Sequence, residues 1–209
     1  MTTAELRTRL RVAAGHTNRG CVDTLAAAIL LGVSRRTVQR WCAKTASEDA
    51  VLPPKRAAAV LEATRPTRSV LRQEEMDAHR ARQDAAILGT RMDQSRQRRW
   101  ASQGWEQPHL VHLVDHQLGP DLVHQVITTR LDSDQSLRVL RRGDHDAVRV
   151  PTRFHAVMVT HELLTQVDRW RCTARPHLVR GATQVWLHQG APPVEAFRVY
   201  QQTLARLEG

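Results

Sequence analysis

Residues 23–44, DTLAAAILLGVSRRTVQRWCAK, decide how this chain is read. The stretch predicts two short helices joined by a three-residue turn. Asp23 or Thr24 offers a side-chain oxygen to the unpaired amide hydrogens that open the first helix. Ala27, Ala28 and Leu31 fall at i, i+1 and i+4, which gives that helix a small apolar face. Gly32 stands where the chain must turn sharply, because a left-handed backbone costs glycine little. Val33 plugs the turn, and Ser34 caps the second helix. That helix has an inner face of Val38, Trp41 and Cys42 and an outer face of Arg35, Arg36, Gln39 and Arg40.

One side of the second helix is thus apolar, and the other carries long hydrogen-bonding groups. A B-form major groove admits one helix, and arginine and glutamine pair bidentately with guanine and adenine edges there. The bland alternative is a surface helical hairpin whose arginines face solvent. A small residue at 28, a turn glycine, a buried valine and a basic outer face in one register favour the groove reading. Arg35, Arg36, Gln39 and Arg40 are the residues expected at base edges or adjacent phosphates. Ser34 suits a phosphate contact at the helix start. Lys44 joins this DNA-facing set, and Lys55 with Arg56 is expected to grip the backbone.

The string AAAILLGVSRRTVQRW resembles the helix-turn-helix of Cro/C1-type regulators, phage-encoded ones in particular. Excisionase and resolvase modules share its LGVSRRTV core. A winged excisionase-like module would continue as a strand pair rich in glycine and basic residues. Here a polar loop, TASEDAV, leads into LPPKRAAAVLEA, which reads as a proline-started helix and favours the all-helical type. The resemblance covers residues 1–66 and implies double-stranded DNA binding; it says nothing of a particular regulon.

Charge follows the same division. Residues 1–66 hold 11 Lys/Arg against 5 Asp/Glu, residues 67–105 hold 8 against 5, and residues 106–209 hold 12 against 11. Positive charge concentrates where a polyanion would dock, a gradient that a uniformly basic protein would lack. Apolar residues make up 41% of the 209, enough for real cores and against global disorder. Three widely spaced cysteines without a CxxC pair argue against a disulfide framework or zinc finger and fit a reducing cytoplasm. No signal peptide or membrane span is expected from the apolar runs.

Thr2 and Glu5 have capping-box spacing, so residues 3–14 are expected as the first helix, with Leu6, Leu10 and Ala13 on one face. GHTNRG, residues 15–20, reads as a loop. A fourth helix is expected over 54–64, with Ala58, Val60 and Leu61 inward. Residues 67–103 suggest a long connecting helix. Leu71, Ala78, Ala85 and Met92 repeat every seven residues, with Ala81, Leu88 and Ser95 between them. That seam fits either pairing with a second chain or a solvated connector, and Glu74 and Arg99 weaken the pairing. Beyond Trp105, HLVHLVDHQL and DLVHQVITTRL are ambiguous between helix and strand, although VITT prefers strand. SLRVLRR, GDHD and AVRV suggest a β-hairpin, and residues 152–171 a helix carrying Phe154, Val157, Met158, Leu164 and Val167. HLVR-GA-TQVWLHQ suggests a second hairpin, followed by Pro192 and a closing helix through Tyr200 to Leu207. The expected class is α+β overall, with three divisions. These are a DNA-binding helical bundle over 1–66, a helical linker or dimerisation helix over 67–104, and an α+β dimerisation or effector domain over 105–209.

Enzyme signatures are weak. His109, His112, Asp115 and His116 would line one side of a helix as metal-type ligands, with His124 nearby and His155, His161 and Glu162 as a looser set. As a strand, the same segment sends His112 and Asp115 to opposite faces. Eleven histidines in a lysine-poor chain also make chance clustering common. There is no glycine-rich phosphate loop or GxSxG elbow. Five tryptophans allow base stacking; Trp41 and Trp170 lie on apolar faces, where packing explains them better, while Trp100 and Trp105 flank a junction. The reading is a non-enzymatic, cytoplasmic, sequence-specific transcriptional regulator, a phage, plasmid or mobile-element repressor acting as a homodimer. It has neither cofactor nor metal. The alternatives are a DNA-tethering partition or replication adaptor and a metal-dependent nucleic-acid enzyme.

Overall fold

A computed structural model of the chain describes residues 1–43, 47–88, 93–142 and 147–189. Among them the protein is mixed α/β, with eight α-helices and a five-stranded antiparallel sheet. The N-terminal helices are α1 (Thr3–Ala14), α2 (Thr24–Leu31), α3 (Arg35–Trp41) and α4 (Pro54–Thr64). Next come α5 (Arg68–Ala86), α6 (Gln94–Ser102), β1 (His109–Leu118) and β2 (Asp121–Arg130). The remainder is α7 (Asp134–Arg142), β3 (Ala147–Val150), α8 (Arg153–Gln166), β4 (Arg171–Cys172) and β5 (Val185–Leu187). The sheet order is β3-β1-β2-β5-β4.

Among the described residues two compact units are each discontinuous in sequence: 1–68 with 115–125 and 169–189, and 69–114 with 126–168. In the first, Thr2 Oγ1 accepts from the Glu5 amide and starts α1. One side of α1 packs Leu6 and Leu10 into a core with Val22, Ala27, Ala28, Val38, Leu52 and Val60. From its other side Val12 enters a second cluster with Leu118, Val123, Cys172, Ala174, Val185 and Leu187. Polar groups tie the same pieces together. Arg9 is fully buried, and its guanidinium donates to the carbonyls of Arg171 (3.0 Å) and Arg169 (2.6 Å) and to Glu5 Oε1 (2.9 Å). Arg11 grips the buried carboxylate of Asp121 through Nε (2.5 Å) and Nη2 (2.6 Å). Thr8 Oγ1 donates to the same carboxylate at 3.1 Å. The unit carrying α1–α4 therefore extends well past residue 66.

In the second unit Ala81, Trp100 and Phe154 form a buried cluster, with Ala85, Leu88, Trp105 and Met158 packed on it. Trp100 and Trp105 both meet Phe154 edge-on, at centroid distances of 4.7 and 5.8 Å. Both junction tryptophans thus serve packing, an assignment the sequence left undecided.

Several expectations need correction. The single helix over 67–103 is two helices, because Asp93 accepts from the Ser95 amide and starts α6 afresh. Its heptad positions Ala78 and Ala81 are buried, and Ala85 and Leu88 pack on the Trp100 cluster, so much of the seam is spent within the chain. Met92 lies outside the described residues. SLRVLRR is helix α7 rather than a hairpin arm, opened by Ser133 Oγ accepting from the Ser136 amide. β3 pairs instead with β1, His109 opposite Val150. The second proposed hairpin also fails. Residues 177–180 form no strand, and β5 pairs with β2 and β4. HLVHLVDHQL and DLVHQVITTR are the hairpin that does form, turning at Gly119 with φ 63°. Ala58 is exposed and Leu61 only half-buried, while Val60 points inward as expected. Trp41 and Trp170 are half-buried, each beneath an arginine. The expected closing helix after Pro192, through Tyr200 to Leu207, lies outside the described residues.

Candidate nucleic-acid interface

Asp23, rather than Thr24, opens α2, its carboxylate accepting from the amides of Leu25 (3.0 Å) and Ala26 (3.1 Å). The helix stops at Gly32, whose φ of 64° and ψ of 32° are left-handed, and whose amide reaches back to Ala28 and Ile29. Val33 donates to the Ala28 carbonyl at 3.1 Å and closes the turn. Ser34 Oγ then accepts from the Thr37 amide at 3.1 Å and starts α3. Ala27, Ala28 and Val38 are buried where the two helices meet.

This packing leaves Arg35, Arg36, Gln39 and Arg40 exposed on α3. Arg35 is partly committed, since its Nε donates to Thr24 Oγ1 at 3.0 Å and spans the turn. Arg36 and Arg40 project from the side opposite Val38, and Gln39 from the flank between. Lys55 is exposed in the first turn of α4. Arg56 stacks its guanidinium 4.8 Å over the Trp41 ring, which brings it beside the C-terminal end of α3. Lys44 lies outside the described residues.

A cleft of about 570 Å³ opens beside Gln39, lined among others by Arg7, Arg11, Thr24, Cys42 and Glu48. Arg7 donates to the Ala43 carbonyl at 2.7 Å and lies 3.5 Å from Glu48. Burial pushes the Cys42 thiol above its ordinary range, while Arg7 and Arg11 pull it the other way. Neither arginine was singled out from sequence. Their i, i+4 spacing on the polar side of the first helix was the signal that could have found them.

The histidine motif does not assemble as on a helix. His109 and His112 are buried in β1 on opposite faces. His109 Nδ1 lies 2.8 Å from the Gln107 carbonyl, and burial lowers its pKa. His116 Nε2 lies 2.7 Å from Gln125 Oε1. His155 sits 2.8 Å from Thr152 Oγ1, its pKa likewise lowered by burial. Among the described residues no three His, Cys, Asp or Glu side chains form a metal-binding group, and no helix is long and apolar enough to cross a membrane.

No family model, curated protein or solved structure matches the chain.

Proposed function

We propose that the chain is a sequence-specific double-stranded DNA-binding regulator, a cytoplasmic repressor of the phage or plasmid type that acts as a homodimer without catalytic activity. The observation that carries this reading is the pair α2 and α3. Their three-residue connection, left-handed Gly32 and small buried contact at Ala28 and Val38 set α3 with Arg36, Gln39 and Arg40 outward. Those side chains have the length and donor geometry to read base edges, and Lys55 with Arg56 supplies phosphate contacts alongside. The excess of basic residues over 1–66 supports the same partner. A single module of this size makes few base contacts, so two copies tethered on one duplex supply the missing affinity.

The decisive experiment is selection of bound sequences from random DNA by the purified full-length protein, followed by footprinting of the selected sites. A reproducible site with two-fold symmetry, half-sites about 34–36 Å apart and overlap with a promoter is the expected result. Long arrays away from promoters would replace the repressor with a tethering adaptor. Enrichment of no sequence would overturn DNA reading altogether.

A further inference from the structure

Sequence spacing pointed to His109, His112, Asp115 and His116 with His124 nearby; folding joins only Asp115 and His124 of these in one chain and adds His188 to them. β2 and β5 pair with His124 opposite Trp186. The ladder continues one step further, since the His188 amide donates to the Leu122 carbonyl at 3.2 Å. Because side chains alternate along strands, His188 lies on the same face as Trp186 and His124. Asp115 stands on that face from the neighbouring strand. The result is a chain of three groups. Asp115 Oδ1 lies 2.6 Å from His124 Nδ1, and His124 Nε2 lies 2.8 Å from His188 Nδ1.

We infer that His124 Nε2 and His188 Nδ1 form a chelating pair for a divalent transition cation of the zinc class, with Asp115 holding His124 in the ligating tautomer. A carboxylate at Nδ1 fixes the proton there and leaves the Nε2 lone pair free, which is the usual arrangement behind a metal-bound histidine. The ring of His124 is also braced by the fully buried Trp186, at a centroid distance of 5.6 Å. Spacing agrees with chelation. Two imidazoles bound at about 2.05 Å, with a ligand–metal–ligand angle of ~90–110°, place their nitrogens ~2.9–3.4 Å apart and their ring centroids ~4.5–5.2 Å apart. The rings here have centroids 4.9 Å apart and nitrogens 2.8 Å apart. Exchanging the shared proton for a cation therefore needs a shift of a few tenths of an ångström. On binding, a neutral His188 moves its one proton from Nδ1 to Nε2 by way of solvent, so no net proton is released; a proton leaves for each ring only where that ring starts as imidazolium.

Two nitrogen ligands are fewer than a closed structural zinc site uses, so the remaining positions belong to water or an external donor. Imidazole donors select zinc, copper and nickel over magnesium or calcium. His188 is exposed and Asp115 mostly so, which leaves the pair open to solvent.

The test is calorimetric titration of the metal-free full-length protein with zinc chloride, beside the variants His188→Ala, His124→Gln, Asp115→Asn and His16→Ala. The expected result is one equivalent bound by the parent, at least tenfold weaker binding for the first two variants, and a loss of about 10–100-fold for Asp115→Asn. His16→Ala, outside the pair, should bind as the parent does. Metal-free melting curves check that the variants fold, and zinc should raise the parent's melting temperature but not that of His188→Ala. Absence of binding by the parent, or affinity equal to the parent's in His188→Ala or His124→Gln, would overturn the site. Neither outcome touches the DNA reading, which the selection experiment tests separately.

Discussion

Replacing Asp121 by alanine should be among the most damaging single changes in this protein. Its carboxylate is 3% exposed and receives both Arg11 Nε and Nη2 as well as the Thr8 hydroxyl. Truncation strands the Arg11 guanidinium, whose side chain is 16% exposed, and costs Thr8 its nearer acceptor. Breaking a buried ion pair from one side costs ~3–5 kcal/mol, and the residual exposure of Arg11 puts the expectation near 3. That is a large share of a typical domain's stability. Asp121→Asn keeps an acceptor for one N–H and should lose about half as much. Urea unfolding of Asp121→Ala, Arg11→Met and the double variant, monitored by far-ultraviolet circular dichroism, measures the coupling directly. The double variant should lie well above the sum of the singles, because it leaves no orphaned charge. A loss below about 1 kcal/mol for Asp121→Ala, or strict additivity, would refute the argument that this contact fastens α1 to the β1–β2 turn.

Gln39→Ala should relax base preference at one position of the selected site at a cost of ~1–3 kcal/mol, whereas Lys55→Ala should weaken all sequences alike and flatten the salt dependence; titrations on specific and random DNA distinguish them. Gly32→Ala should cost ~1–2 kcal/mol in a thermal or urea melt, because a Cβ there meets no neighbour within 4 Å and only the φ of +64° opposes it; Gly32→Asn should recover part of the loss. Burial lowers the folded-state pKa of His109 and His155 below the ordinary value of 6.5, so the unfolded chain binds more protons as pH falls through that value. Stability is therefore full above about pH 6.5 and declines on acidification, and His109→Gln should flatten the decline in melting temperature measured between pH 7.5 and 5.5.

The sequence was most legible where one local signal had one physical meaning. Asp23, Gly32 and Ser34 occupy cap positions whose chemistry is nearly unique to those residue types, and the boundaries of α2 and α3 follow from them. Longer-range placement was not legible. Whether SLRVLRR becomes helix or strand turns on which partner its apolar side meets, and periodicity over seven residues does not carry that information. The alanine seam of α5 likewise reads the same whether it faces a second chain or Trp100 and Phe154. At the candidate interface, the exposed set on α3 was readable from helical phase alone. The tie from Arg35 to Thr24 and the stacking of Arg56 on Trp41 were not, because both depend on how one helix crosses another. The pairing of His124 with His188 joins residues 64 apart in sequence, beyond the reach of any spacing rule.

The buried guanidinium of Arg9 has a consequence for how the protein is made. Its acceptors are the carbonyls of Arg169 and Arg171, and Val12 beside it packs with Cys172, Val185 and Leu187. A ribosome that has released α1–α4 must add well over a hundred residues before those partners emerge. At ~5–20 residues per second this interval lasts on the order of ten seconds. Throughout it one flank of α1 stays wet, with an arginine in search of carbonyls and a valine in search of a core. The first unit is thus begun at the start of translation and finished near its end, so premature termination anywhere before β5 leaves a nascent product with its first helix half-clad.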